Sequence, residues 1–219
     1  MTSDGKRLET CWRYFNPPKR LWGARLSNNY PKTKDQVAAL ESCRAYIVTD
    51  IYNGKGLMLA SSNYGTGKSH LTVATVRALM EYDTEQFGVR EPESNIYNPD
   101  KEEYQGLTCS FFSVVELLDA WRPGSEAKKK QGDWLFYRAK VDDLVILDDI
   151  GAEKASDWTM DRLYAVIDAR YRMERATIFT TNCSEKQLID NGYGRIVSRI
   201  FEMTEPIEVN GPDHRRKRA

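Results

Sequence analysis

The sequence predicts an α/β fold in which a mostly parallel sheet is covered by helices on both faces. Short apolar runs alternate along the chain with segments of helical spacing, as in parallel sheets with helical crossovers. The run 144–147 is apolar at every position, which is typical of a strand buried on both faces. The predicted strands are 57–60, 107–112, 144–147, 177–180 and 207–209, and the predicted helices are 35–51, 69–81, 114–121, 133–139, 157–172, 185–189 and 195–203.

The 219 residues are expected to form one α/β domain with short extensions. Residues 1–34 are predicted to be an irregular leader, because three prolines interrupt regular structure there. Residues 35–210 form the α/β domain, and 211–219 form a basic tail. Within the domain, 86–106 is predicted to be a polar surface insertion, and the lysines at 128–130 are expected in a loop after a Pro-Gly turn.

The composition argues against several classes of protein. Lys plus Arg and Asp plus Glu each number 32, so the net charge is zero and gives no bulk attraction to duplex DNA. A local basic groove for single-stranded nucleic acid is compatible with this balance. The sequence has no apolar run that could span a bilayer and no signal-peptide core, so we expect a cytoplasmic protein without membrane contact. The four cysteines are scattered, which favours free thiols over a zinc site.

A glycine-rich turn joins the first predicted strand to the helix that follows it. Residues 63–69 read Asn-Tyr-Gly-Thr-Gly-Lys-Ser, a pattern that directs backbone N–H groups and a helix N-terminus at phosphate oxygens. Lys68 can reach the β- and γ-phosphates, and the Ser69 hydroxyl can bind Mg²⁺. Ser62 replaces the usual first glycine, and serine fits if the backbone there is not left-handed. The residues expected to bind ATP are Asn63, Tyr64, Gly65, Thr66, Gly67, Lys68, Ser69 and His70.

Two carboxylates follow the third predicted strand. Val145-Ile146-Leu147-Asp148-Asp149 has the form of a Walker B motif, in which an apolar strand ends in acidic residues at the edge of the sheet where ligands bind. We expect Asp148 to hold Mg²⁺, and Asp149 to orient or deprotonate the attacking water. Most such ATPases place a glutamate at the second position, so slow hydrolysis is predicted. In the alternative interpretation both aspartates begin a solvated turn.

The fourth predicted strand ends in polar residues, the last of which is Asn182. Its amide could bond to the γ-phosphate or to the attacking water. The alternative is a capping role, because Asn182 and Ser184 directly precede a predicted helix.

Two arginines lie on one face of the helix predicted at 195–203. Arg195 and Arg199 are four residues apart, which places them about 40° from each other around the helix axis. Arginines in this arrangement could reach the γ-phosphate bound by a neighbouring subunit, as arginine fingers do. The alternative is a pair of surface arginines bound to Glu202 or Glu205.

Five segments together resemble the DnaC/DnaI-type helicase loaders, which are AAA+ ATPases of the initiator group. The resemblance covers residues 20–215, and the IstB-type transposition helper ATPases are close relatives of the same group. The segments that carry it are Gly65-Thr-Gly-Lys-Ser-His-Leu, Leu147-Asp-Asp-Ile-Gly-Ala-Glu-Lys, Thr177-Ile-Phe-Thr-Thr-Asn, Arg195-Ile-Val-Ser-Arg and Ile207-Glu-Val-Asn-Gly-Pro-Asp-His-Arg.

The resemblance implies a three-layer P-loop NTPase fold with strand order 5-1-4-3-2 and without a helical lid. It implies a Walker B pair at Asp148 and Asp149, a sensor I residue at Asn182, and arginine fingers at Arg195 and Arg199. It also implies an oligomeric ring or spiral on single-stranded DNA that acts on a hexameric replicative helicase, with ATP hydrolysis that DNA or the partner stimulates. Loaders carry a separate helicase-binding domain at the N-terminus, where this sequence has only residues 1–34 before its first predicted helix.

Two other functions are compatible with the same residues. One is an IstB-like helper that binds duplex DNA and delivers a transposase, and the other is a nucleotide-gated binding module with little turnover. The candidate DNA contacts combine cations with aromatic rings that could stack on bases, although for Trp134 a position in the core is favoured. These candidates are Arg122, Lys128, Lys129, Lys130, Trp134, Tyr137, Arg138 and the run 215–218.

Overall fold

A computed structural model describes residues 12–49, 53–87, 108–153 and 156–215 of the chain. Their central feature is a five-stranded sheet in which every paired strand runs parallel to its neighbour. The order across the sheet is β2-β3-β4-β1-β5, which is the predicted order read from the other edge, so the predicted fold is confirmed. The strands are β1 (Leu57–Ala60), β2 (Cys109–Ser113), β3 (Leu144–Ile150), β4 (Thr177–Thr181) and β5 (Pro206–Glu208).

Helices cover both faces of this sheet. A π-helical segment, Ile189–Tyr193, joins the last two of them. Between β5 and residue 215 the chain forms no helix. None of the helices in the described part of the chain is long and apolar enough to cross a membrane. The helices are α1 (Lys34–Thr49), α2 (Lys68–Phe87), α3 (Val114–Ala120), α4 (Glu126–Val141), α5 (Asp157–Arg172), α6 (Glu185–Leu188) and α7 (Gly194–Met203).

Each face of the sheet has its own hydrophobic core, because successive side chains of a strand point to opposite sides. Leu57 and Leu59 of β1 enter the core that α1 and α2 cover, whereas Met58 enters the core that α3, α5 and α7 cover. The strands β1 and β4 are buried at every residue, as expected for strands covered on both faces. This packing brings the carboxyl ends of β1, β3 and β4 together at one edge of the sheet.

The described part of the leader packs against the rest of the molecule. It was expected to be irregular, and its described part contains only short helical turns, at 12–15, Lys19–Leu21 and Leu26–Asn28. Phe15 and Ala24 are nevertheless almost completely buried in the core over α1 and α2. The described part of the leader is therefore integrated into the core on the side of α1 and α2.

Two expectations from the sequence that concern α4 are wrong. The lysines at 128–130 belong to α4, which begins at Glu126 after the N-cap Ser125, because the Ser125 hydroxyl accepts the N–H of Lys128 at 3.3 Å. Trp134 was favoured as a core residue, but its side chain is 47% exposed on the outer face of α4. The predicted insertion at 86–106 lies outside the described residues except for the end of α2.

Candidate nucleotide-binding site

The glycine-rich turn connects β1 to α2 and takes a conformation that requires its two glycines. The φ angles of Gly65 and Gly67 are +69° and +101°, a region that residues with a Cβ rarely adopt. Ser62, at the position of the usual first glycine, is not among the described residues with positive φ, so the condition for a serine there is met. The tip residue Tyr64 is exposed.

Lys68 begins α2 and is almost completely buried at the centre of the turn. Its ammonium group donates to Oδ1 of Asn182 at 2.6 Å and to the carbonyl oxygen of Asn63 at 3.3 Å. Burial lowers the pKa of Lys68, against the opposing effect of the nearby carboxylates of Asp149 and Asp148. A buried ammonium group whose present partners are neutral oxygens is well placed to bind an anion.

Asp148 lies at the end of the regular part of β3, directly opposite the start of α2. Its Oδ2 accepts the Ser69 hydroxyl at 3.1 Å, and its Oδ1 accepts the Thr180 hydroxyl at 2.8 Å. Burial raises the pKa of Asp148, and the neighbouring charge of Asp149 acts in the same direction. The sequence placed Ser69 and Asp148 at one metal site, and the structure brings these two oxygen ligands together.

This pair of oxygens could form the protein's part of a Mg²⁺ site. Within the described residues, no group of three or more His, Cys, Asp and Glu side chains could hold a metal ion. Mg²⁺ is usually bound by one or two protein oxygens, with the remaining positions taken by water and substrate phosphates. A site formed by the Ser69 hydroxyl and the Asp148 carboxylate beside a phosphate-binding turn has this composition.

The backbone at Asp149 leaves the regular path of β3, and its side chain lies near Asn182 and Lys68. Its φ angle is +65°, and the pairing of β3 with β4 is interrupted by a bulge between Leu147 and Ile150. The N–H of Asp149 donates to the Thr180 hydroxyl at 2.8 Å, and its Oδ1 accepts the Asn182 amide at 2.5 Å. The amide of Asn182 therefore bridges Asp149 and Lys68. The residue that caps α6 is Ser184, whose hydroxyl accepts the N–H of Gln187, and not Asn182.

A cavity of about 280 Å³ opens beside these groups. Of the predicted residues, its lining includes 64–70, Asp148, Asp149 and Asn182. Asn63 is not part of the lining and contributes its carbonyl to Lys68 instead. Five further residues that the sequence did not assign to nucleotide binding line the cavity, and no spacing rule connects those of the leader or of the end of the chain to a phosphate-binding turn. These five are Arg20, Leu21, Thr180, His214 and Arg215.

His70 borders the cavity from the first turn of α2. Its Nε2 lies 3.1 Å from Oδ1 of Asn28 in the leader. Burial lowers the pKa of His70, although the ring also bonds to the backbone of Arg25.

The two arginines of α7 do not line this cavity. Arg199 donates from Nε to Oδ1 of Asp168 at 2.8 Å and from a terminal nitrogen to the Tyr164 hydroxyl at 2.7 Å. The guanidinium of Arg195 lies 4.5 Å from the centre of the Tyr164 ring. The alternative pairing with Glu202 or Glu205 is wrong for Arg199, since its carboxylate partner comes from α5 rather than from its own helix.

Among the candidate DNA contacts, Arg138 is excluded by its position. Its side chain is 6% exposed and forms an ion pair at 3.1 Å with Asp142, which is also buried. The Arg138 guanidinium also stacks on the ring of Tyr14, 3.5 Å from its centre. Trp134, Tyr137 and the lysines at 129–130 are exposed on α4, so they remain candidates for such contacts.

The sheet, the phosphate-binding turn and the acidic strand end together have the arrangement of the P-loop NTPase fold. No family model matches the sequence, and no curated protein matches it. Solved structures do match. The crystal structure of the DnaC helicase loader is 26% identical in sequence, with a TM-score of 0.66 over 88% of this chain and 100% of that chain.

Two further structures share the fold at lower identity. The crystal structure of DnaI is 20% identical, with a TM-score of 0.67 over 89% of this chain and 95% of that one. The replication initiator DnaA, bound to AMPPCP and single-stranded DNA, is 19% identical, with a TM-score of 0.60 over 87% of this chain and 51% of that one. The resemblance to DnaC/DnaI-type AAA+ loaders that the motifs indicated is confirmed by these structures.

Proposed function

We propose that this chain is an ATPase that loads or remodels a hexameric replicative helicase on single-stranded DNA during the initiation of replication. The observation that carries the proposal is the likeness to the solved chain of the DnaC helicase loader, all of which this chain matches, together with the bridge from Lys68 through Asn182 to Asp149. Two matching DnaA structures are bound to AMPPCP, and one of them is also bound to single-stranded DNA, which supports a nucleotide and a DNA strand as ligands here.

The residues of the cavity have separate roles in this proposal. The turn at 63–69 binds the phosphates of ATP through its N–H groups and the Lys68 ammonium. Ser69 and Asp148 hold Mg²⁺, which neutralises charge on the phosphate oxygens. Asp149 orients the attacking water or accepts its proton, and Asn182 keeps that carboxylate at a fixed distance from Lys68.

Arg195 and Arg199 complete the site of the next subunit in this proposal. Within its own subunit Arg199 donates three hydrogen bonds, since a terminal nitrogen also donates to the Arg195 carbonyl at 3.0 Å. Each terminal nitrogen of a guanidinium carries two N–H groups, so the group can be fixed in place and still donate to a phosphate. The oligomer would therefore present a preoriented arginine at each subunit interface.

The test is to measure phosphate release by the purified chain alone, with single-stranded DNA, with duplex DNA, and with the replicative helicase of the source organism. We expect slow hydrolysis that single-stranded DNA or the helicase stimulates. Lys68→Ala is the control and should bind no ATP, because the buried ammonium is lost. Normal ATP affinity in Lys68→Ala would refute the nucleotide site, and stimulation by duplex DNA alone would favour the transposition helper.

A further inference from the structure

Two groups from distant parts of the chain bind successive carbonyls of the phosphate-binding turn. The side-chain amide of Gln36, on the first turn of α1, donates from Nε2 to the Thr66 carbonyl at 3.0 Å. The backbone N–H of His214, in the segment after β5, donates to the Gly65 carbonyl at 2.9 Å. Gln36 is 3% exposed, so this polar side chain is buried against the turn.

Fixing these carbonyls fixes the N–H groups that bind phosphate. A peptide group is planar and trans, so the N–H of each peptide points away from its C=O. The Gly65 carbonyl shares a peptide plane with the Thr66 N–H, and the Thr66 carbonyl shares one with the Gly67 N–H. Both carbonyls are bound on the side of α1 and the final segment, which directs both N–H groups to the opposite side of the turn.

The Gln36 amide is itself held in one orientation. Its Oε1 accepts the backbone N–H of Lys32 at 2.8 Å, which leaves Nε2 as the donor towards the turn. The same Nε2 lies 3.1 Å from Nε2 of His214, an exposed ring that accepts from this amide in the corresponding tautomer. Gly211 approaches so closely that a Cβ there would lie 2.3 Å from Nε2 of Gln36.

The segment after β5 is hydrogen-bonded both to the end of β1, where the turn begins, and to the residue that precedes α1. The N–H of Val209 donates to the Ala60 carbonyl at 2.8 Å, which extends the pairing of β5 with β1. The Ser61 hydroxyl donates to the Asn210 side chain at 3.2 Å, and the Thr33 hydroxyl donates to the Asn210 carbonyl at 2.5 Å. The segment 209–214 therefore ties the start of α1 to the phosphate-binding turn.

We propose that the Gln36 side chain and the segment 209–214 form a clamp that holds the phosphate-binding turn in its binding conformation, with Gln36 as a positioning residue. This inference rests on the proposed nucleotide binding at 63–69. The clamp preorganises the N–H groups of the turn, so nucleotide binding does not have to order them.

Two variants remove the action of the clamp in different ways. Gln36→Glu keeps the shape of the side chain and the acceptor for Lys32 but has no donor for the Thr66 carbonyl. Gly211→Ala keeps the amide and displaces it through the added Cβ, and the backbone of Gly211 is not in the left-handed region. The matched control is Val37→Ala, an exposed position on the same turn of α1.

The measurement is the equilibrium affinity of each folded variant for fluorescent ATP and ADP analogues, with the folded fraction checked by circular dichroism. We expect both clamp variants to bind ATP and ADP about tenfold more weakly, the effect of one lost hydrogen bond. ATP and ADP should be affected equally, because the turn's N–H groups contact phosphates common to both. The double variant should bind no more weakly than the weaker single variant, since both changes act on one amide.

The outcomes separate the clamp from the nucleotide site. Affinities within about twofold of wild type in both clamp variants would overturn the clamp, as would additive losses in the double variant. Should one variant not fold, the other decides alone. Failure of the wild-type chain to bind either nucleotide would overturn the proposed function, and the clamp with it.

Discussion

The guanidinium of Arg199 forms an ion pair with Asp168 of the same subunit, with Nε 2.8 Å from Oδ1. The two side chains are 24% and 16% exposed, so the pair is partly shielded from solvent. It joins α7 to α5 and fixes the direction of the arginine before any neighbouring subunit arrives. In the proposed composite site, the orientation of the arginine finger would depend on Asp168.

Loss of this ion pair should weaken hydrolysis without affecting ATP binding. If Arg199 has the proposed role of an arginine finger, Arg199→Ala should lower stimulated turnover about a thousandfold or more. Asp168→Asn should lower it about tenfold, because the arginine is still present but less well held. Steady-state phosphate release, with ATP affinity measured in parallel, tests both values.

Arg172 provides a matched control for Asp168. It binds Oδ2 of the same carboxylate at 2.9 Å, but its side chain is 70% exposed. An exposed ion pair contributes little, so Arg172→Gln should leave turnover within about twofold of wild type. Full turnover in Arg199→Ala would contradict the arginine-finger role altogether.

Mixing two inactive variants tests whether the arginine acts on a neighbouring subunit. Asp149→Asn lacks the carboxylate that is proposed to orient or deprotonate the attacking water but keeps Arg199, whereas Arg199→Ala keeps Asp149. Mixed subunits should regain part of the turnover, since an intact arginine then faces an intact cavity. A mixture of Asp149→Asn with Lys68→Ala is the control and should stay inactive, because both variants are defective on the same side of the interface. Absence of rescue at every ratio would argue against a composite site.

Gly151 should be sensitive to substitution for two separable reasons. Its φ angle is +89°, and an added Cβ would lie 2.8 Å from Leu188 and 3.0 Å from Cys183. Gly192 has a φ angle of +91° but nothing within 4 Å of an added Cβ. We expect Gly192→Ala to lower the free energy of unfolding by about 1–2 kcal/mol. Gly151→Ala adds overpacking and should lower it by about 2–4 kcal/mol, as measured by urea denaturation.

Equal effects of the two glycine substitutions would mean that the neighbours of Gly151 move aside freely. The contacts with Leu188 and Cys183 would then contribute nothing to the difference.

Glu153 should make stability depend on pH. Its Oε1 accepts the Tyr193 hydroxyl at 2.5 Å, and burial raises the pKa of this carboxyl above its ordinary value of 4.5. The folded state then holds the proton more tightly than the unfolded chain. The contribution of the Glu153 carboxyl to the free energy of unfolding is therefore fully present below pH 4.5, and it is lost as pH rises through the raised pKa of Glu153 in the folded state.

Glu153→Gln should remove this dependence. The difference in free energy of unfolding between wild type and Glu153→Gln should change over that pH window and be constant above it. Glu116→Gln, at an exposed position on α3, serves as the control. A difference that is constant from pH 4 to neutral pH would show that burial of Glu153 has no effect on its titration.

The secondary structure and the motif residues could be predicted from short segments of the sequence. The strands, the helix Asp157–Arg172 and the residues of the turn and the acidic strand end all followed from periodicity and motif spacing. The lysines of α4 were misplaced because Pro123-Gly124 follows the end of α3 at Ala120 as a turn, and the next helix begins only two residues after Gly124. Helix boundaries next to a turn are decided by capping, here by Ser125, rather than by hydrophobic pattern.

Contacts between distant segments could not be predicted in this way. Arg170 is completely buried on α5, where its guanidinium donates to the carbonyls of Asp142 and Ala176 at 2.8 and 2.6 Å. The sequence gives no sign that this arginine is internal, since the exposed Arg172 lies only two positions further on. The contacts of Gln36 and His214 with the turn are hidden for the same reason, because Gln36 is 30 positions from Thr66 and 178 positions from His214.

The left-handed backbone of Asp149 decides how a nucleotide-trapped form of this protein can be made. Asparagine and aspartate adopt this region several times more readily than other residues with a Cβ. Asp149→Asn should therefore keep the bulge and leave ATP bound but unhydrolysed, whereas a β-branched residue would force the strand end to rearrange. For capturing an assembly in its ATP-bound state for microscopy, Asn is the substitution to choose.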